Sequence, residues 1–221
     1  MANGSGEQRP ALPSHVREQF SDDAETVAGF FTAEHAALET ARSATICEAN
    51  GRVSSHLAVV SGAVVALAFI GEASALGTPF YVFLFVLLPA ILFLSIVTFE
   101  RALQSGLIDG IMARRVNRLR RFYVHFHDGL DDYLEPPSSE DTPAAVMSQV
   151  GISQRGWQLY LTAVGSVGVL NSIIVGVLAG LTVEMFVDAL WLSTGVGIVT
   201  FAISEALHLC RQATKWRQAA P

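Results

Sequence analysis

Charge is scarce in this sequence. Only 15% of its 221 residues are Asp, Glu, Lys or Arg, 51% are hydrophobic, and the mean hydropathy is +0.43. A soluble domain carries roughly a quarter charged residues, so the balance excludes a typical soluble enzyme. Cysteine is scarcer: two, Cys47 and Cys210, rule out a disulfide scaffold, and without a CxxC spacing they form no zinc or redox pair. The chain also lacks GxxxxGK[ST], HExxH, GxSxG and any Gly-rich phosphate loop, so no catalytic residue, cofactor or metal site is assigned and the expectation is a non-enzyme. Net charge is −6, which argues against nucleic acid as a partner.

What the chain has in abundance is long apolar runs. A helix needs about 20 apolar residues to cross ~30 Å of hydrocarbon, and four stretches qualify: Val53–Gly71, Phe80–Thr98, Leu159–Gly180 and Ala189–Cys210. None alternates as a membrane β-strand does, and backbone groups in a bilayer must be satisfied within the segment, so the predicted fold class is all-α. The polar start, Met1 to Pro10, has no apolar core behind a basic region, which predicts a retained, cytoplasmic N-terminus.

All 14 basic residues fall before the first run, between the second and third, or after the fourth, while the connections 72–79 and 181–188 carry only Glu72, Glu184 and Asp188. Cytoplasmic flanks are enriched in Lys and Arg. The expected topology is therefore four crossings in two transmembrane hairpins, 53–99 and 151–210, with both termini and the central loop in the cytoplasm.

The remaining chain divides into a tail (1–20), a cytoplasmic helix (21–52), a basic helix (100–127), an acidic Pro-rich loop (128–150) and a C-terminal tail (211–221). Ser21 with Asp22 and Asp23 suits a helix N-terminus, and Val27, Phe30, Phe31, Leu38 and Ala41 give the first helix a thin apolar stripe. Asn50-Gly51 reads as a bend or a membrane-interface joint. In the basic helix, Met112, Val116, Leu119, Tyr123 and Phe126 form one stripe suited to helix packing, with Arg114, Arg118 and Arg121 beside it and Arg115 adjacent in sequence. Residues 101–127 hold six Arg and one Asp (+5), against eight acidic and three basic residues in 1–50 (−5). The two stretches pair with each other, or Arg114, Arg115, Arg118 and Arg121 meet a protein partner or anionic lipid.

Within the spans, Asn171 is either a helix-packing amide or the lining of a polar pathway between subunits. Glu205, a carboxylate about one turn from the cytoplasmic end, is a functional candidate by default, with His208, Arg101 or water as partners. His125 and His127 with Asp128 invite a metal reading, but residues two apart on a helix point apart, so a dipole-facing role at the helix C-terminus is preferred. Pro89 should kink the second span. Gly176 and Gly180 form a GxxxG pair, with Gly165 and Gly168 on the same helix, for close packing within the chain or between subunits.

The stretch Glu48-Ala-Asn-Gly-Arg52 leading into the apolar run Leu57–Gly71 resembles multi-spanning integral membrane proteins of high-GC bacteria, and 13 Arg against one Lys fits that source. The resemblance implies the bacterial inner membrane and brings no activity with it. The functional expectation is an oligomeric or partner-binding scaffold or sensor acting through its cytoplasmic helices. The alternative is a small oligomeric channel or transporter using Asn171 and Glu205.

Overall fold

The computed structural model describes residues 24–126, 160 and 162–219, and the four elements among them are all α-helices. They are α1 Ala24–Ala73, α2 Thr78–Phe126, α3 Ala163–Val187 and α4 Leu190–Ala219. Each is long and apolar enough to cross a membrane, with mean hydropathy between 1.5 and 2.8 over its most apolar window. The outward faces are consistent with a multi-pass membrane protein: Val86, Phe93, Val64 and Ile198 are each at least 60% exposed. The tail 1–20, the Ser21 cap, His127 with Asp128, and the acidic loop 128–150 lie outside the described residues.

At 1.5 Å per residue, α1 (50 residues) and α2 (49 residues) are each about 75 Å long, far more than one ~30 Å crossing consumes. They run antiparallel along their length. Phe31 meets Tyr123 edge-on at 6.1 Å, Arg42 Nε donates to Asp109 Oδ1 at 2.9 Å, and Arg101 faces Glu48 at 3.6 Å. Val116 is buried and Met112, Leu119 and Tyr123 are half-buried, so the basic helix uses its apolar stripe for packing.

The two stretches pair with each other, through the apolar stripe and through ion pairs. One cross-helix bridge, Arg42 with Asp109, has its base on the acidic stretch and its acid on the basic one. Phe30 departs from the expected stripe of α1: it is 73% exposed, while Val27, Phe31, Leu38 and Ala41 turn inward to varying degrees. Asn50-Gly51 does not interrupt α1, because the i−4 bonding continues on both sides and nothing packs near Gly51 to demand a joint.

The turn joining α1 to α2 is closed by a six-to-one bond from Leu76 N–H to Gly71 O at 2.9 Å, with Ala75 and Leu76 at positive φ. Helix α3 begins four residues later than Leu159, because Thr162 caps it: the side-chain oxygen accepts from Gly165 N–H at 3.0 Å. It also continues past Gly180 to Val187, ending at Asp188 in the left-handed conformation, so residues 181–187 belong to the helix rather than to a connection. One carboxylate, Glu184, did not end an otherwise apolar run. Helix α2 continues through Pro89.

Small residues set the fit of α3 on α4. Gly168, Ser172, Gly176 and Gly180 recur every fourth position of α3. A Cβ built on Gly176 would lie 2.8 Å from the Gly197 carbonyl oxygen, and one on Gly180 would lie 3.0 Å from that of Ser193. The GxxxG pair therefore serves a contact within the chain, with Gly197 as the reciprocal glycine. Gly176→Ala should destabilise the protein by ~1–3 kcal/mol through overpacking. Gly195→Ala, where a Cβ meets nothing within 4 Å, should be neutral or slightly stabilising. Thermal unfolding of both variants in detergent checks this, and equal melting temperatures would refute the seam.

Candidate functional site

The core has two apolar clusters with a polar layer between them. Val53, Phe99, Ala102, Leu103, Val164 and Val167 form one cluster, and Ala63, Leu84, Leu88, Ile91 and Ile174 form the other. Between them along the helices come His56 on α1, Ser95 on α2, and Asn171 and Ser172 on α3, none more than 2% exposed. Helix α4 adds Ser204, Glu205 and His208.

Two linked groups make up the α3–α4 part of the layer. In the first, His208 Nδ1 lies 2.8 Å from the Ser204 carbonyl oxygen, and Nε2 lies 3.1 Å from Asn171 Nδ2. A carbonyl only accepts, so Nδ1 carries the proton, and in the neutral ring Nε2 accepts from the amide. Phe99 meets the imidazole edge-on at 4.7 Å, and the Cβ and Cγ of His208 lie within 4 Å of where a Gly168 side chain would begin. Asn171 Oδ1 is left buried without a partner.

In the second group, Ser172 Oγ lies 2.9 Å from Glu205 Oε2, 2.9 Å from Gly168 O and 3.2 Å from Ser204 Oγ. A hydroxyl has one proton for these three acceptors. Donation to Glu205 satisfies the carboxylate, whereas donation to Gly168 leaves Ser172 able only to accept, and its contact with Glu205 is then a hydrogen bond only if the carboxyl carries the proton. Protonation of His208 at Nε2 would place two donors face to face and favour rotation of the Asn171 amide, bringing the now unpartnered Oδ1 into use.

Several expectations change here. Glu205 is 8% exposed and pairs with Ser172, not with Arg101 or His208, because His208 turns toward Asn171 and Arg101 binds Gln104 and Glu48. Asn171 is wholly enclosed within its own chain. Ser166 turns outward and donates to the Tyr160 carbonyl. Arg115 and Arg118 are exposed, and Arg114 and Arg121 are half-buried. His56, Ser95 and Ser204 escaped sequence reasoning, although Ser204-Glu205-x-x-His208 at one-turn spacing was a readable signal for the last.

Comparison of the chain with protein-family models, curated protein sequences and solved structures gives no match. Ser172→Ala would strand the buried Glu205 carboxylate and should cost ~1–3 kcal/mol. Ser166→Ala, on the exposed side of the same helix, should cost much less. Chemical or thermal unfolding in detergent measures both, and equal effects would contradict the Ser172–Glu205 bond.

Proposed function

We propose that this chain is a non-catalytic, four-span protein of the bacterial inner membrane whose paired cytoplasmic helices dock another molecule, either a soluble protein or a second copy of the chain. The observation that carries this reading is the length of α1 and α2. About 75 Å of paired helix leaves a stalk of roughly 40 Å beyond one hydrocarbon thickness. In this reading 53–99 and 151–210 are transmembrane hairpins, and the stalk, both termini and the central loop are cytoplasmic. The one-sided placement of all 14 basic residues supports that orientation. So do the exposed Phe186 and Trp191 at the α3–α4 turn, where an aromatic belt would meet the opposite interface.

The stalk has a surface suited to binding. Phe30 stands outward on α1, and Arg115, Arg118 and Arg120 stand outward on α2, an aromatic and arginine combination frequent at interface centres. Clustered arginines fit a partner with an acidic face. The transport reading draws its support from Glu205, a carboxylate buried in a span. Against it, Asn171 and Ser172 are enclosed within one chain, so a route past them requires the helices to separate.

A photo-crosslinking residue placed at Phe30 or Arg118 in cells should yield a discrete protein adduct, either a homodimer or one soluble protein. The same residue at Val86 should give none. Replacing Arg115, Arg118 and Arg120 with Gln should reduce the Phe30 adduct severalfold, and absence of any adduct from both stalk positions would overturn the docking reading. Topology has a separate measurement. Cys47 and Cys210 are both exposed on the protein, so an impermeant maleimide should label both in inverted vesicles and neither from outside intact cells.

A further inference from the structure

A cavity of about 510 Å³ opens between α1 and α2 where the stalk meets the first two apolar runs. Its lining changes character along its length. At one end lie Arg52 and Arg101, which directly precede and follow the apolar runs 53–71 and 80–98. Toward the runs the wall is Val59, Leu94 and Val97, all 41–47% exposed. His56 forms part of the wall between them: the residue is 2% exposed, and neither ring nitrogen has a partner.

We propose that this cavity binds one anionic glycerophospholipid, its phosphate held by Arg52 and Arg101 and an acyl chain lying on Val59, Leu94 and Val97. The two arginines stand at the same level because α1 and α2 are antiparallel, and the level is that of the headgroups. Glu48 Oε1 sits between them, 2.9 Å from Arg52 and 3.6 Å from Arg101. That carboxylate holds both guanidinium groups in place and leaves one net positive charge at the mouth, enough to prefer an anionic over a zwitterionic headgroup. Each guanidinium has five N–H donors. Arg52 spends its contacts on Glu48 and Arg101 divides its own between Glu48 and Gln104, which leaves donors for phosphate oxygens. A cavity of this volume matches the size that buries a headgroup and the first part of a chain. The buried, unpartnered imidazole of His56 gains a hydrogen-bonding atom when a glycerol or ester oxygen enters beside it.

The site is separate from the stalk surface, so its test does not depend on the docking reading. Full-length protein in nanodiscs of phosphatidylcholine with a minor fraction of phosphatidylglycerol is released and weighed by native mass spectrometry. The expected result is one retained phosphatidylglycerol. Arg52→Gln with Arg101→Gln should lower that retention about tenfold. Arg115→Gln with Arg118→Gln, outside the cavity, should leave it unchanged. Because the first pair of substitutions also removes the Glu48 bridges, Val97→Phe supplies an independent arm: it fills the chain-binding wall, keeps both arginines, and should also reduce retention. Equal retention in parent, arginine and Val97 variants would overturn the proposal. Displacement of the lipid by millimolar glycerol phosphate would overturn it too, because it would assign the site to a free phosphate ester.

Discussion

The backbone contact between α3 and α4 is the constraint on which the rest of the bundle depends. Inside hydrocarbon there is no hydrophobic force to bring two apolar helices together, so association rests on close packing and on hydrogen bonds that close packing permits. Gly176, Gly180 and Gly197 bring the two backbones to a distance at which a single added methyl would strike a carbonyl oxygen. One turn along α3 from Gly176, that proximity puts Ser172 within 2.9 Å of Glu205, and a further turn away it sets Gly168 against His208. The α3–α4 part of the polar layer shares the close backbone approach that the glycine seam permits.

The layer divides a membrane core into two apolar halves, and its members are unequally satisfied. Glu205 and His208 have partners, whereas His56, Ser95 Oγ and Asn171 Oδ1 are buried without one. A fully satisfied network would rigidify the bundle, and a partly satisfied one leaves room for an alternative arrangement or for a bound polar group. On α1 that deficit coincides with a cavity carrying two arginines at its mouth, and the chemistry there is lipid recognition. On α3 it is the Asn171 carbonyl oxygen left over when the amide donates to His208 Nε2.

The stalk follows different physics. Over the stalk portions that the proposed topology places outside the bilayer, α1 and α2 are held by a thin apolar stripe, by Phe31 on Tyr123 and by half-exposed ion pairs, which contribute modestly where water and salt screen them. A paired stalk of this kind is long and comparatively weak, suited to presenting a surface. Trp216 of α4 packs near Gly106 and Gly110 of α2, and Arg211 pairs with Glu100, so the last helix braces the base of the stalk and ties it to the membrane core.

The sequence by itself determined that the described chain is helical and that four runs suffice to span a bilayer, and it marked apolar stripes on α1 and α2 without deciding that they meet each other or that Phe30 stands outside. These properties follow from composition and from a period of 3.6, both of which are local. It left undecided which of two meanings the GxxxG pair had and which partner Glu205 took, because each depends on a residue more than ten positions away. Gly197 as the reciprocal of Gly176, Ser172 as the donor to Glu205, and Asn171 turned to His208 rather than to a neighbour are all decisions of register between α3 and α4. The ends of α3 were misread for a related reason. A capping threonine at 162 and one glutamate at 184 act through backbone geometry and depth, which a hydropathy count averages away. Only the packed bundle shows that His56, a lone histidine in an apolar run, is buried at a cavity wall between Arg52 and Val59.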